Sequence, residues 1–313
     1  MKRTVFALLL LFLLPLCTAA ADGTVAVPDG TWTFAQKDSV TLQLDVYYAA
    51  AGSTTHVDGV RKPTVLFVFG GGFVMGARDE EHHRRYYAQL TAAGYDVVAI
   101  DYRLGLRGVH KMGVAQAGKL QRAIHMGEED LLSATAWLLE HEQETGIDAR
   151  NIVLCGSSAG AIICLQTLWE MSNRTRRTRV LPDDYAYRGV MSFSGAVFSS
   201  AGKLRFRQPP CPTLLFHGTA DQIVPYDQIK VLSVGFFGSN RVAERYARYG
   251  YPYRFYRHLN HGHEIAGLMG KSLDEQFDFL ENVVCRGIAD VRDEVIDSTW
   301  LHYTTGTAAD LYR

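Results

Sequence analysis

Three short segments of the sequence carry side chains that could together cleave an acyl bond. Gly156-Ser157-Ser158-Ala159-Gly160 has the Gly-x-Ser-x-Gly spacing that presents a serine nucleophile on a sharp turn. A serine hydroxyl is a weak nucleophile near neutral pH, so it needs a base to accept its proton and a third group to orient that base. Candidates for both roles follow Ser158 in the chain: Asp221, and the pair His261 and His263.

The context of Ser158 strengthens this interpretation, because the five-residue pattern alone is common. Residues 151–155 are apolar and β-branched and predict a strand, and residues 159–171 predict a helix. The serine therefore lies at a predicted strand-to-helix junction, which is the context that the motif requires.

Asp221 is the candidate for the acid. It follows the predicted strand 213–217 within His217-Gly218-Thr219-Ala220-Asp221, and a loop beyond the carboxyl end of a strand is where α/β proteins place their sites. The alternative interpretation is that Asp221 caps a helix beginning near Pro225, and Asp227 is a second carboxylate nearby.

The base is His263 or His261, because Asn260-His261-Gly262-His263-Glu264 follows the predicted strand 252–258. Either ring could approach Ser158. Gly262 gives the backbone before His263 freedom to aim that ring across the strand ends, which favours His263. A metal site at the His-x-His pair is not indicated, since no nearby cysteine or carboxylate completes a recognisable ligand set.

A glycine run could supply donors for the oxygen that becomes negative during acyl transfer. Gly70-Gly71-Gly72-Phe73 directly follows the predicted strand 64–69, and its backbone amides can approach a substrate closely. The expected oxyanion hole combines the amides of Gly71, Gly72 and Ala159. A phosphate-binding loop is the competing interpretation, but the Lys-Ser/Thr ending of such loops is missing. No metal or organic cofactor is expected.

The N-terminus has the three-part layout of a secretory signal peptide. Basic residues precede an apolar run, residues 5–16, and small residues 19–21 follow it. We expect residues 1–21 to be a signal peptide, residues 22–313 to be a single domain, and the protein to be exported to the periplasm or the outside of the cell. Anchoring as a lipoprotein through Cys17 is less expected, because Leu16 stands where a small residue would be.

Composition narrows the possible partners. The formal net charge of −1 over 313 residues gives no general attraction to nucleic acid or to an anionic membrane. The apolar run near the N-terminus is short for a membrane span, so no stable membrane insertion is expected after its removal. Four cysteines follow the signal peptide, and the sequence does not determine their pairing or the oligomeric state.

Strand and helix patterns alternate along the chain. The predicted strands are 40–48, 64–69, 95–101, 151–155, 189–193, 213–217 and 252–258. The predicted helices are 80–93, 128–144, 159–171, 226–234 and 239–249. This alternation predicts an α/β fold whose mostly parallel central sheet is flanked by helices on both faces. Two long connections, 104–127 and 172–188, are expected to border the site, and the arginines of the second are interpreted as solvated surface.

Taken together, these segments resemble the α/β-hydrolase superfamily, in the branch of bacterial carboxylesterases and hormone-sensitive-lipase-like esterases. The resemblance covers residues 40–280. It rests on Leu44-Asp45-Val46-Tyr47, the glycine run, Tyr102-Arg103-Leu104, the serine elbow, the Asp221 loop and Gly262-His263-Glu264. One departure is that Phe69 stands where the branch usually has a histidine before the glycines, so this loop is expected to be held differently.

The resemblance implies an α/β-hydrolase fold and a secreted carboxylic ester hydrolase that forms an acyl-enzyme. It assigns Ser158 as nucleophile, Asp221 as acid and His263 as base, with Gly71, Gly72 and Ala159 as oxyanion donors. The expected substrate is a small-molecule or carbohydrate ester, such as an acetyl or feruloyl sugar. The alternatives are a serine peptidase of the prolyl-oligopeptidase type and a non-catalytic binding protein on the same fold.

Overall fold

The computed structural model of the protein describes residues 23–109 and 117–297. The predicted signal peptide, residues 1–21, lies outside this part of the chain, as do residues 110–116 of the predicted long connection and the last residues, 298–313. Within the described ranges, no helix combines the length and the apolar character needed to cross a membrane.

Nine strands form one large sheet. In chain order they are β1 (Gly30–Lys37), β2 (Val40–Tyr47), β5 (Thr64–Val68), β6 (Val97–Ile100), β7 (Ile152–Ser157), β8 (Gly189–Phe193), β10 (Thr213–Gly218), β13 (Tyr253–His258) and β14 (Val291–Ile296). Across the sheet their order is β1-β2-β6-β5-β7-β8-β10-β13-β14. The β1–β2 and β2–β6 pairs are antiparallel and every later pair is parallel. The predicted mostly parallel central sheet is thereby confirmed.

Two small sheets complete the strands. A hairpin consists of β3 (His56–Val57) and β4 (Val60–Arg61), and a three-stranded sheet consists of β9 (Ala196–Ser199), β11 (Gln228–Val231) and β12 (Val234–Gly238). The three-stranded sheet starts just beyond the carboxyl end of β8. It packs on the helix after the elbow, where the Phe198 amide donates to Gln166 Oε1 at 2.9 Å.

The helices flank the large sheet. They are α1 (Glu81–Ala92), α2 (Ala117–Glu140), α3 (Glu142–Thr145), α4 (Ala159–Asn173), α5 (Ser239–Tyr249) and α6 (Leu273–Asp278). Short 3₁₀ segments follow α4 at Arg176–Val180 and β13 at His263–Gly267 and Met269–Lys271, and a π-helical turn spans Phe279–Cys285. Helix α4 contacts β5, β7 and β8, so the helix that follows the nucleophile packs on the centre of the sheet.

The central strands are buried along their whole length, as their unbroken apolar sequences predict. Every residue of β5, β6, β7, β8 and β10 is buried. Strands covered on both faces have no solvent side that would select polar residues, so they lack the alternation of a half-exposed strand. This rigid core fixes the positions of the loops at the carboxyl ends of the parallel strands.

The predicted helix 226–234 is wrong. These residues belong mostly to β11 and β12, which form an antiparallel hairpin, and β12 pairs in turn with β9. The β-branched residues Ile229, Val231 and Val234 favour strands. Pairing with β9, which is distant in sequence, decides the conformation of a segment whose local pattern is ambiguous.

Helix α2 begins at Ala117, eleven residues before the predicted start at Glu128. Residues 117–127, which were predicted to belong to the connection 104–127, are therefore helical. The glycines in this segment suggest a loop, but Gly127 serves close packing of two helices. A Cβ at Gly127 would lie 2.4 Å from Ile163 Cδ1 of α4. The α2–α4 contact therefore requires the glycine.

The sequence analysis also missed both edge strands, β1 and β14. In β1 the half-buried or buried Trp32 and Phe34 alternate with the exposed Thr31 and Thr33, which is the period-2 signal of a one-sided strand. No residue of β14 is fully buried, so its sequence carries no comparable apolar pattern. Its position depends on parallel pairing with β13.

Candidate active site

The turn between β7 and α4 holds Ser158 in a strained backbone conformation. Ser158 has φ 50° and ψ −115°, a region that L-residues rarely adopt. Its amide donates to Phe193 O on β8 at 2.8 Å. A Cβ on Gly160 would lie only 2.0 Å from Val68 O, so the first turn of α4 can pack against β5 only with glycine there. The strained turn projects the serine hydroxyl above the carboxyl edge of the sheet.

The hydroxyl of Ser158 meets the ring of His263. Ser158 Oγ donates to His263 Nε2 at 2.8 Å, and both residues are buried. His263 begins the 3₁₀ turn after β13, and Ser157 Oγ donates to Ala266 O of that turn at 2.8 Å. The elbow and the histidine loop are thus joined by two separate hydrogen bonds.

The carboxylate of Asp221 completes a continuous hydrogen-bonded chain. His263 Nδ1 donates to Asp221 Oδ2 at 2.7 Å. The other carboxylate oxygen, Oδ1, accepts the amides of Ile223 at 2.8 Å and Val224 at 3.0 Å. Since both oxygens are held, the carboxylate can fix the tautomer of His263 that leaves Nε2 free to accept a proton.

A second buried histidine, His217, also contacts this carboxylate. His217 Nε2 lies 3.2 Å from Asp221 Oδ2 and 3.2 Å from Val224 O, and His217 Nδ1 is hydrogen-bonded to Ser239 Oγ at 2.8 Å. Burial raises the pKa of Asp221, but the hydrogen bonds from His217 and His263 outweigh burial and hold that pKa below its usual range. These two donors therefore favour the ionised form of Asp221.

The two competing candidates from the sequence lie in other interactions. His261 Nδ1 pairs with Glu264 Oε1 at 3.0 Å. Asp227 accepts from Asn240 Nδ2 at 2.8 Å and pairs with Arg241 of α5. The structure thus brings Ser158, His263 and Asp221 together, and it places His261 and Asp227 in local contacts outside that chain of hydrogen bonds.

The glycine loop after β5 folds into a tight turn beside the elbow. Gly71 has φ 105°, and a Cβ there would lie 2.0 Å from Met75 O, so only glycine fits this turn. Gly71 O accepts the amides of Val74 at 3.0 Å and Met75 at 3.1 Å. Ala159 opens α4, and the first N–H groups of a helix have no carbonyl partner within it. The amide of Ala159 is therefore placed where an anionic oxygen could be bound.

Phe69, the residue that departs from the family pattern, anchors this loop by packing. Its ring stacks on Tyr102 with centroids 4.4 Å apart. Tyr102 Oη donates to Phe69 O at 3.1 Å and to Gly70 O at 3.2 Å. The aromatic pair and its phenol hold the backbone of the glycine loop, so a side-chain donor at position 69 is not needed to fix it.

The cysteines play no part in this arrangement. Cys155, Cys164, Cys211 and Cys285 are all free thiols, and Cys155 and Cys164 are buried beside the elbow. Burial raises the pKa of the Cys155 thiol to about 12 and that of Cys164 well above its usual value. These thiols are uncharged near neutral pH and act as small apolar core groups.

The sequence analysis did not recognise the contribution of His217. The signal was present, since His217 ends a buried strand four residues before Asp221, but a histidine inside an apolar strand suggests only a core residue. Its contact with Asp221 makes it a positioning residue, because it would act on a reacting group only through the carboxylate and His263.

We expect His217→Phe to lower kcat for an ester about tenfold and leave KM nearly unchanged, because one charge-assisted hydrogen bond to Asp221 is lost. His258→Phe is the matched control: His258 is buried on β13, and its ring nitrogens have no hydrogen-bond partner among the described residues. An equal loss of kcat in the two variants would contradict a positioning role.

Comparisons with known proteins agree with this fold. The family model BD-FAE matches residues 44–186, just under half of the chain, including the glycine loop and the elbow. Esterase LipI of Mycobacterium tuberculosis is 33% identical over 106 residues, which are 34% of this chain and 28% of LipI. Lipase 2 of a Moraxella species is 26% identical over 167 residues, 50% of this chain and 34% of that protein. The chain thus matches about a third of the length of these curated relatives.

Solved structures extend the likeness to the whole fold. Native esterase 2 of Thermogutta terrifontis superimposes with a TM-score of 0.55 over 85% of this chain and 93% of that chain, at 21% identity. The sheet order, the elbow and the helices around the sheet are those of the α/β-hydrolase fold, which these esterase structures share.

Proposed function

We propose that this protein hydrolyses carboxylic esters through an acyl-enzyme formed on Ser158. The observation that carries the proposal is the hydrogen-bonded chain from Ser158 Oγ to His263 Nε2, 2.8 Å, and from His263 Nδ1 to Asp221 Oδ2, 2.7 Å. A nucleophile, a base and an orienting carboxylate in this order activate a serine for attack on a carbonyl. The esterase relatives support the same reaction class.

In the proposed acylation, Ser158 Oγ bonds to the ester carbonyl carbon while His263 Nε2 takes the hydroxyl proton. The carbonyl oxygen becomes an oxyanion, and the amides of Gly71, Gly72 and Ala159 are its proposed donors. Collapse of the tetrahedral intermediate breaks the bond to the alcohol oxygen, which receives the proton from His263. A water molecule, deprotonated by His263, then attacks the acyl carbon. Collapse of this second intermediate breaks the bond to Ser158 Oγ, which takes the proton back from His263, and the carboxylic acid leaves.

The charge pattern of the site suits this sequence of steps. His263 becomes an imidazolium after it accepts the serine proton, and the ionised Asp221 stabilises that cation at 2.7 Å. The depressed pKa of Asp221 keeps the stabilising charge in place throughout turnover. The oxyanion forms at the N-terminus of α4, where the helix dipole favours negative charge.

We further propose that the natural substrate is an ester on a carbohydrate, an acetyl or feruloyl group, and that the protein is exported. The predicted signal peptide supports export, and polysaccharide esters are substrates that an exported enzyme would meet. Release of acetate from acetylated xylan, or of ferulate from a feruloylated oligosaccharide, tests the substrate class. A rate on p-nitrophenyl acetate without either release would restrict the function to small esters.

The test of the ester hydrolase itself combines turnover with labelling. The purified chain should hydrolyse p-nitrophenyl acetate, and a fluorophosphonate probe should modify Ser158, identified by peptide mass spectrometry, with loss of activity in proportion to labelling. Labelling with cleavage of proline-containing peptides but not of esters would favour a peptidase of the prolyl-oligopeptidase type. A protein that neither turns over an ester nor reacts with the probe would be a non-catalytic binding protein.

A further inference from the structure

Two glutamates and a histidine meet between helices α2 and α4. His125 and Glu128 lie on α2 and Glu170 lies on α4, and one donor atom of each lies within 4.8 Å of the donor atoms of the other two. Both glutamates are buried, and His125 is half-buried. Glu170 follows Ser158 by 12 residues on the same helix, about 18 Å at the usual rise per residue. The cluster is therefore separate from the candidate active site.

The hydrogen bonds around this cluster leave one carboxylate oxygen unsatisfied. Glu128 Oε1 is buried and has no hydrogen-bond partner among the described residues. Its other oxygen, Oε2, lies 3.1 Å from His125 Nδ1. Glu170 Oε1 accepts from Gln166 Nε2 at 3.3 Å. A buried oxygen without a partner is costly, and the cost is removed when a ligand supplies the missing contact.

The charges in the cluster do not balance. Two carboxylates are buried side by side, and the cation nearest to Glu128 in the described part of the chain is Arg177, whose Nε lies 3.9 Å from Glu128 Oε2 and whose side chain is 44% exposed. So long and exposed a contact neutralises little charge. A cation held between Glu128 and Glu170 would offset both carboxylates.

We propose that His125, Glu128 and Glu170 bind a divalent metal ion of the Zn²⁺ type that joins α2 to α4. One imidazole and two carboxylates form a donor set that zinc uses, with water as the fourth ligand. Tetrahedral zinc ligands are about 3.4 Å apart. The pair His125 Nδ1 and Glu128 Oε2, at 3.1 Å, already has nearly that spacing, and the donor atom of Glu170, within 4.8 Å of the other two, would have to approach by at most about 1.4 Å.

Solvent can reach the cluster from one side. Glu170 also lines a surface cavity of about 600 Å³, together with Thr175 and Arg177 of the segment after α4. Arg177 is half-exposed and can move into solvent when a cation displaces it. The proposed ion would therefore enter beside Arg177 and fasten the helix that follows the nucleophile to its neighbour.

The described residues contain one other group with a similar donor set, Glu80, His82 and His83. That group surrounds the N-terminus of α1, where the helix dipole disfavours a cation. Its donors also come from a single short segment, so an ion there would not join two elements. The α2–α4 cluster is the better site on both grounds.

The test is zinc binding by the full chain carrying Ser158→Ala, so that its result does not depend on the proposed ester hydrolysis. The chain is stripped with EDTA and dialysed against Zn²⁺, and zinc per chain and Tm are measured. We expect the parent chain to bind one zinc ion and the Glu128→Gln and Glu170→Gln variants to bind none. A 100-fold excess of Zn²⁺ over Kd should raise the Tm of the parent by on the order of 5 °C and leave the Tm of these variants unchanged. Without metal, Glu128→Gln should be at least as stable as its parent, because it removes an unpaired buried carboxylate.

Matched controls separate the site from other zinc ligands. Glu140→Gln, at an exposed position of α2, and His56→Gln, at an exposed position of β3, should keep the zinc and the Tm rise. His82→Gln should keep them as well. The proposal is overturned if the parent chain binds no zinc, if Glu128→Gln and Glu170→Gln retain it, or if His82→Gln rather than these variants removes it.

Discussion

The Ser158→Ala variant is expected to lose at least about 10⁴-fold in kcat for ester hydrolysis, with a Tm close to that of the unmodified chain. The loss is this large because the alanine methyl group can neither attack a carbonyl nor form an acyl-enzyme. What remains is catalysis by the oxyanion donors and by His263 acting on water, which other triad enzymes retain when one member is removed.

Stability should change little for a separate reason. The backbone strain at φ 50° is the same for alanine as for serine, so the substitution neither relieves nor adds strain. The hydrogen bond to His263 is lost, which costs about 1 kcal/mol. Thermal unfolding and kcat measured on the same preparation separate a lost nucleophile from a misfolded elbow.

The neighbouring serine provides the matched control. Ser157 Oγ donates to Ala266 O and makes no contact with His263 in the structure described here. Ser157→Ala should therefore lower stability by about 1 kcal/mol and leave kcat within roughly threefold of the unmodified value. If Ser157→Ala abolished hydrolysis while Ser158→Ala retained it, the assignment of the nucleophile would be wrong.

The central strands and the elbow could be predicted from sequence because their local and tertiary requirements agree. Strands β5, β7 and β10 are apolar, short and bounded by turn residues, and their burial on both faces demands that composition. The order of Ser158, Asp221 and a histidine along the chain follows from the fold, since each lies beyond the end of a parallel strand. Because the strands are parallel, this topology alone places the three residues at the same edge of the sheet.

The segments whose predicted conformation is wrong are those in which contacts with residues distant in sequence determine the conformation. Residues 228–238 form a hairpin because β9 provides a partner strand, and the sequence of the segment does not reveal that partner. Helix α2 runs through Gly127, because helix packing against Ile163 requires a small residue where local propensity indicates a break. Local sequence could not reveal either contact.

The choice between His261 and His263 shows the same limit at the site. A single residue, Gly262, separates these histidines in one loop, and both have the right chemistry. The 3₁₀ turn that begins at His263 and is tied to Ser157 through Ala266 aims His263 at Ser158. His261 instead pairs with Glu264 three residues ahead. Backbone geometry after β13, which depends on the elbow opposite, determines which ring reaches the serine.

The Asp221→Asn variant should lose about 10⁴-fold in kcat, close to the loss at Ser158, although Asp221 touches no substrate. An asparagine amide can donate to His263 Nδ1, which favours the tautomer that carries its proton on Nε2. That tautomer cannot accept the proton of Ser158. The loss should appear in kcat far more than in KM, because the ester-binding surfaces are unchanged. Asp227→Asn, which alters a neighbouring carboxylate paired with Arg241, should keep kcat within about threefold of the unmodified value.

The same substitution should change stability in a pH-dependent way. The pKa of Asp221 in the folded chain lies below its usual value, so its carboxylate stabilises the fold wherever the unfolded carboxyl is also ionised, above roughly pH 4. As pH falls below that value the unfolded chain takes up the proton first, and the stabilisation is lost progressively toward the folded pKa. The unmodified chain should therefore exceed Asp221→Asn in unfolding free energy at pH 7 and have lost part of that advantage at pH 3, as measured by urea unfolding. A difference that stayed constant between these pH values would mean that the hydrogen bonds from His217 and His263 do not favour the ionised form of Asp221.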